Sequence, residues 1–190
     1  MKTAIFIDGG YLRVLVRQAD LQYTPDYIET IAHACLLEDE FLLRILYYDC
    51  APYKGSPKLP ISGKPSDFTG SDEWIKVLSA KPQFAVRLGV LKFRGFVPKK
   101  IPLSTSALSD KDFKPRFEQK GVDMRLGLDI ATYSANRSVE RIILITGDTD
   151  CSPAMKLART AGLQVVLIQF PGKILARELL SHSDFQRQVE

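Results

Sequence analysis

The sequence predicts an α/β protein: a three-layer sandwich with helices on both faces of a mainly parallel central sheet. Three observations carry this. Short runs such as Ala4-Ile5-Phe6-Ile7, Ile142-Ile143-Leu144-Ile145 and Val165-Val166-Leu167-Ile168 are apolar at every position, as strands buried on both faces are. Segments with apolar residues at helical spacing lie between such runs. The alternation of the two element types demands crossover connections, and hence parallel pairing.

The elements follow in order. Lys2 to Ile7 is a central strand, and Tyr11 to Ala19 forms a short helix after it. Thr24-Pro25-Asp26 supplies an N-cap with proline at the first helical position. Apolar Ile28, Ile31, Ala32, Cys35 and Leu36 then carry that helix to about Asp39. Phe41 to Tyr48 is the second strand. Ala51 to Ser71, rich in Pro, Gly, Ser and Lys, reads as a long surface loop of the kind that contacts substrates. Ser71 to Ala80 is a helix and Phe84 to Phe93 a strand, with Val97 to Leu103 as its hairpin arm, held to an edge by Pro98 and Pro102. Ser104 to Lys114 reads as mobile. Gly121 to Tyr133 is a helix, Arg141 to Ile145 a strand, and Ser152 to Ala161 a helix that Gly162 ends. Leu163 to Phe170 is a further strand, and Ile174 to about His182 the last helix. One domain over 1–190 is expected, with insertions at about 51–71 and 92–120. The C-terminal Ile174, Leu175, Leu179, Leu180 and Phe185 cover the sheet, with a homo-oligomer as the alternative use of them.

Composition narrows the function classes. The apolar fraction of 45% and charged fraction of 25% are those of an ordinary globular chain. No apolar run approaches the roughly 20 residues that span a bilayer. The strand pattern starts at Lys2 with no signal sequence ahead of it, so no membrane association and a cytoplasmic location are expected. Cys35, Cys50 and Cys151 form no CxxC pair and suit a reducing compartment rather than a disulfide framework or thiolate zinc site. Two histidines leave little for imidazole catalysis. Lys92 to Lys120 holds eight basic residues (Lys92, Arg94, Lys99, Lys100, Lys111, Lys114, Arg116, Lys120) against Asp110, Asp112 and Glu118, a balance of +5 in a chain of net +4. A local basic surface beside an acidic pocket suits a polyanion whose reacting phosphate needs a metal.

That acidic pocket is drawn by two strand ends. Asp8 follows the first strand and precedes Gly9-Gly10; Asp148 and Asp150 follow the Ile142–Ile145 strand in Thr146-Gly147-Asp148-Thr149-Asp150. Carboxylates where such strands stop point into the crevice that open α/β sheets use for ligands. Asp123 opens the preceding helix and reaches toward the same place. Asp129 lies about 120° around that helix and about 9 Å along it, in line with apolar Val122, Leu126 and Tyr133. A hydrogen-bonded supporting role therefore suits it better than metal contact. Asp150 has the alternative of capping the helix near Ser152. Converging carboxylates without cysteine or histidine ligands favour a hard cation, Mg²⁺ or Mn²⁺, which activates water and neutralises a phosphodiester.

Together, Phe6-Ile7-Asp8-Gly9-Gly10-Tyr11, Lys120-Gly121-Val122-Asp123 with Leu126 and Asp129, and Ile145-Thr146-Gly147-Asp148-Thr149-Asp150-Cys151-Ser152-Pro153 resemble the NYN-domain family of the PIN-like, metal-dependent ribonucleases. The resemblance extends through Gly162 to Phe185 and leaves out Ala51 to Lys114. It implies a PIN-like fold and Mg²⁺- or Mn²⁺-dependent cutting of RNA. Asp8, Asp123 and Asp148 would be the metal ligands, Asp150 the fourth catalytic carboxylate, and Asp129, Tyr11 and Thr146 supports behind them. Tyr11 stands where the family often has asparagine, and Cys151, expected to pack as a small hydrophobe, where phenylalanine is common.

The function read from these residues is a ribonuclease acting on single-stranded or structured RNA. Lys120, Arg116, Lys114, Lys99 and Lys100 would bind the phosphates, and Phe93, Phe96 and Phe113 either stack on bases or pack internally. The alternative is a non-catalytic RNA- or metal-binding regulatory module. A haloacid-dehalogenase type of phosphatase would need an aspartate at Gly10, and neither GxxxxGK[ST] nor GxGxxG follows the first strand.

Overall fold

A computed structural model describes residues 1–101 and 108–189. In chain order the elements are β1 (Lys2–Asp8), α1 (Gly9–Gln18), α2 (Pro25–Ala34), β2 (Phe41–Cys50), β3 (Lys54–Gly55), β4 (Phe68–Thr69), α3 (Glu73–Ala80), β5 (Phe84–Pro98), β6 (Phe113–Lys120), α4 (Val122–Ala135), β7 (Arg141–Ile145), α5 (Ser152–Thr160), β8 (Gln164–Gln169), α6 (Arg177–Ser181) and β9 (Phe185–Gln188). Seven of the strands form one sheet in the order β6-β5-β2-β1-β7-β8-β9, parallel throughout except where β6 folds back on β5. The mainly parallel α/β sheet expected from the uniformly apolar runs is therefore present.

Alternation along the strands feeds two cores. Ile5, Ile7, Ile45 and Tyr47 pack with Leu12, Val16, Ile28 and Leu78 of α1, α2 and α3. Ala4, Phe6, Leu46, Tyr48 and Leu144 pack with Leu126, Ile130, Met155 and Leu179 of α4, α5 and α6. With both faces covered, β1 and β7 have no polar side to show, which is why they read as unbroken hydrophobic runs. The chain winds from β1 to β2 and β5 on one side and resumes at β7 on the other. The switch point thus lies between β1 and β7, the place where such sheets bind ligands.

Four local expectations are corrected. The helix from Thr24 ends at Ala34 rather than near Asp39, because Glu40 accepts from the Leu37 amide at 2.8 Å and turns the chain into β2. The Ala51–Ser71 stretch is not simply loop: β3 and β4 pair in a two-stranded ribbon. The hairpin partner of β5 is Phe113–Lys120, not Val97–Leu103, and β5 itself runs on past a bulge to Pro98. Tyr53, Phe68, Phe93, Phe96 and Phe117 explain both changes. Their ring centres lie 5.2–6.3 Å from neighbours in the group, so the ribbon and the β5–β6 arm share a small aromatic core of their own. Phe93 and Phe96 are thus packing residues. Of the stretch expected to be mobile, residues 104–107 lie outside the described part, as do 102 and 103 of the expected arm, and Asp110–Asp112 is a single 3-10 turn. Finally, the last helix is shorter than expected and leads into β9, a four-residue strand with no apolar alternation to announce it. Among the described residues no helix is long and apolar enough to cross a membrane.

Candidate functional site

Register places the first two carboxylates. Ile7 pairs with Ile145, so Asp8 ends β1 level with Thr146, one residue past β7. Asp8 and Thr146 continue the even-numbered faces of their strands, the side covered by α4 and α5. They accordingly meet: Thr146 Oγ1 donates to Asp8 Oδ2 at 3.5 Å and accepts from the Asp148 amide at 3.1 Å. A fully buried threonine therefore ties the two strand ends together. Each aspartate uses one oxygen to start the turn behind it. Asp8 Oδ1 accepts from the Tyr11 amide at 3.0 Å and caps α1; Asp148 Oδ1 accepts from the Asp150 amide at 2.9 Å and caps the 3-10 turn Thr149–Cys151. Asp150 does not cap α5, whose N-cap position is Cys151 with no side-chain cap bond. Asp150 is exposed, and its carboxylate has no hydrogen-bond partner among the described residues.

Asp123 enters from the first turn of α4. Burial holds the Asp8 carboxyl above the usual carboxylate range, and the charges of Asp123 and Asp148 push it further the same way. Asp123 is raised by burial and then by Asp148 and Asp150. Asp8 thus feels Asp123 and Asp148, and Asp123 feels Asp148 and Asp150. Oxygen-only donors of this kind suit a hard cation. Among the described residues no three of His, Cys, Asp or Glu stand close enough to enclose an ion. Any hard cation held by these carboxylates would therefore keep water in its shell rather than sit in a closed protein cage.

Asp129 is elsewhere. It accepts from Tyr48 Oη at 2.9 Å and Arg87 Nε at 3.1 Å. It satisfies the hydroxyl of a tyrosine wholly inside the core, whose ionisation burial and the Asp129 charge together oppose. Tyr11 packs its ring on Gly147: a Cβ there would lie 2.4 Å from Tyr11 Cε2, so only glycine allows this turn beneath that ring. Gly9 is equally constrained, since a Cβ would lie 2.3 Å from Tyr47 Oη and 2.8 Å from the Tyr48 carbonyl. Cys151 is buried, and burial pushes its thiol up to about 12, so it is a packed neutral group.

The expected phosphate-binding cations sit on the β5–β6 arm. Lys114, Arg116 and Lys120 occupy alternate positions of β6 and share a face with Glu118, which pairs with both Lys120 and Arg94. Lys99 and Lys100 follow the far end of β5, roughly 30 Å along the strand from Gly89. Gln119, which sequence reading passed over, points the opposite way from Lys120. A Cβ on Gly10 would lie 3.3 Å from Asp8 Oδ1 and 3.4 Å from the Gln119 amide, so this side chain borders the crevice. Nothing in a lone glutamine within a basic run announces that position.

Thr146→Val is expected to cost about 1–3 kcal/mol, because the Asp148 amide loses a buried acceptor while the shape is kept. Chemical denaturation measures this, and the same variant should lose whatever activity depends on the spacing of Asp8 and Asp148.

A family model described as NYN domain matches residues 2–187. No curated protein matches the chain. Among solved structures, the crystal structure of a protein of unknown function from Vibrio parahaemolyticus superposes with a TM-score of 0.58 at 15% identity, covering 100% of this chain and 93% of that one. At that identity the likeness is one of fold. The family match spans almost the whole chain and includes both strand ends and the opening of α4, and the chain belongs to the NYN-domain family, whose members are typically PIN-like nucleases.

Proposed function

We propose that the chain is a Mg²⁺- or Mn²⁺-dependent ribonuclease that hydrolyses RNA phosphodiester bonds in the crevice between the ends of β1 and β7. The observation that carries this reading is the bridge through Thr146 that brings Asp8 and Asp148 together at the switch point, with the charge of Asp123 acting on Asp8. Oδ1 of Asp8 and Oδ1 of Asp148 are committed to the turns that follow them, and Asp8 Oδ2 carries only the long 3.5 Å contact from Thr146. A divalent cation there would supply charge neutralisation and an activated water. One or two of Asp8, Asp123 and Asp148 at a time would hold it, with water completing its shell, and exposed Asp150 would orient the attacking water. Thr146 keeps Asp8 and Asp148 in register, and Tyr11 fixes the Gly147 turn between them. Lys114 and Arg116, with Lys120, Lys99 and Lys100, would follow the phosphate chain along the arm. In this reading 1–190 works as one domain, with the ribbon and arm as its RNA-contacting insertions, and its three unpaired buried thiols suit the cytoplasm.

The test is incubation of the purified chain with mixed RNAs and Mn²⁺. Cleavage that EDTA abolishes supports the reading, and intact RNA overturns it. A second reading, RNA binding without turnover, draws on the open spacing of the carboxylates among the described residues. Salt-dependent RNA retention without cleavage in the same assay would select it.

A further inference from the structure

A cavity of about 350 Å³ opens beside the crevice, lined by Arg13, Arg17, Tyr23, Trp74, Leu91 and Gln119 among others. It falls at the low end of the volumes that small-molecule sites occupy. The end of β2 contributes Asp49 and Cys50 to its lining. Asp49, near the end of β2, is 1% exposed and accepts from Tyr47 Oη at 2.8 Å, from the Cys50 amide at 2.7 Å and from Arg13 Nη2. That buried carboxylate pins the Arg13 guanidinium, whose carbon lies 5.4 Å from the ring centre of Tyr23 and 5.9 Å from that of Trp74. Only Nη2 of Arg13 has a protein acceptor among the described residues. Its remaining donors are held rigid in a wall that also carries exposed Arg17. Leu91 and Trp74 add an apolar side, and the Gln119 amide stands where the cavity meets Asp8.

We propose that this cavity seats one unpaired nucleotide of a single-stranded RNA, the one adjoining the phosphodiester presented to Asp8. The chemistry divides accordingly. Arg13 and Arg17 face the phosphate, with Arg13 pre-oriented by Asp49 so that its planar fork loses little freedom on binding. Trp74 and Leu91 face the base, and Gln119 offers a donor and an acceptor toward the sugar or base edge. A bare inorganic anion would have no use for the indole wall, and an uncharged apolar ligand none for the guanidinium groups. A base inside a duplex has its faces covered by its neighbours and does not fit a concave site. The inference rests on the nucleic-acid reading of the crevice, but it makes a separate claim, because binding here needs neither the metal nor cleavage.

Trp74 is the chain's single tryptophan, so its fluorescence reports this cavity alone. The full chain is titrated in EDTA with inorganic phosphate, UMP and the trinucleotide UUU. Saturable change with UUU, at least about tenfold tighter than with phosphate, is expected from base stacking on an aromatic wall. Arg17→Glu, at an exposed position, should weaken it by about tenfold or more through loss of a charged contact. Arg13→Lys keeps a cation for Asp49 but loses the fork, and should also weaken binding. No response to UUU, a response that phosphate reproduces, or one that Arg17→Glu leaves unchanged overturns the proposal. UMP binding as tightly as UUU overturns the assignment to an RNA chain in favour of a free nucleotide. A chain that binds UUU in EDTA yet cuts nothing with Mn²⁺ keeps the subsite and loses the ribonuclease reading. Cleavage with a silent Trp74 does the reverse.

Discussion

Asp8→Asn and Asp148→Asn are each expected to lower the proposed RNA cleavage by a factor of about 100 or more, as removal of a group that neutralises charge in the transition state does, while leaving the fold intact. The structure explains why these two effects separate. Each aspartate lends Oδ1 to a backbone amide behind it, at 3.0 Å for Tyr11 and 2.9 Å for Asp150, and an asparagine oxygen accepts the same bond. What asparagine removes is the charge. For Asp8 that charge is unfavourable to folding in metal-free buffer, since burial and then Asp123 and Asp148 hold the carboxyl above its ordinary value. A carboxyl raised in the folded state binds protons more tightly there than in the unfolded chain, so stability falls as pH rises between the two values. Asp8→Asn should therefore be at least as stable as the parent at neutral pH in EDTA. It should also lack that part of the acid-to-neutral loss. Denaturant midpoints at two pH values, set beside cleavage rates with Mn²⁺, check both halves. A variant that still cuts at the parental rate removes Asp8 or Asp148 from the chemistry.

The second large effect lies far from the crevice. Glu40→Gln is expected to cost roughly 3–5 kcal/mol, the range for breaking a buried ion pair by removing one partner. The Glu40 side chain is 0% exposed and sits between Arg141 of β7 and Arg187 of β9. Its oxygens accept from Arg187 Nη1 at 2.7 Å and Nη2 at 2.6 Å, from the Leu37 amide at 2.8 Å, and from Arg141. Burial would raise this carboxyl, but the bonds from Arg187, Arg141 and Leu37 outweigh it and hold it down at about 2. The sign is opposite to that of Asp8. A depressed carboxyl stabilises the fold above its unfolded value near 4.5, and that contribution is lost as pH falls toward 2. The gap in stability between the parent and Glu40→Gln should accordingly narrow between pH 4.5 and pH 2. A gap that is constant across this window would show that the cost is one of packing rather than charge.

How far the chain is legible depends on the range of the interaction. Uniformly apolar runs can bury only as interior strands, so Ala4–Ile7, Ile142–Ile145 and Val165–Ile168 declare the sheet by themselves. Asp8 and Asp148 were visible because a carboxylate ending such a run is out of place unless something receives it. Asp129 was separable from them by helical phase alone, and it accepts from Tyr48 and Arg87. The β5–β6 arm was misread for a physical reason. Phe117 pairs with Phe93 across a connection of more than twenty residues, and the rings that stabilise the pair, Tyr53 and Phe68, come from an earlier segment that looks like loop. β9 was invisible because its support is a buried glutamate almost 150 residues away.

The sequence by itself determined the layered α/β class, the strand-end aspartates and the acidic chemistry they imply, because these follow from local periodicity and from the cost of burying charge. Only the tertiary structure decided which of these groups share a space and what stands beside them. Register set Thr146 between Asp8 and Asp148. Alternation along β6 turned Gln119 toward the crevice and Lys120 away from it. A buried Asp49 aligned Arg13 with two aromatic rings to form a cavity next to the carboxylates. These juxtapositions depend on which strands become neighbours and in what register, and that is settled by the packing of the whole sheet rather than by any one segment of the chain.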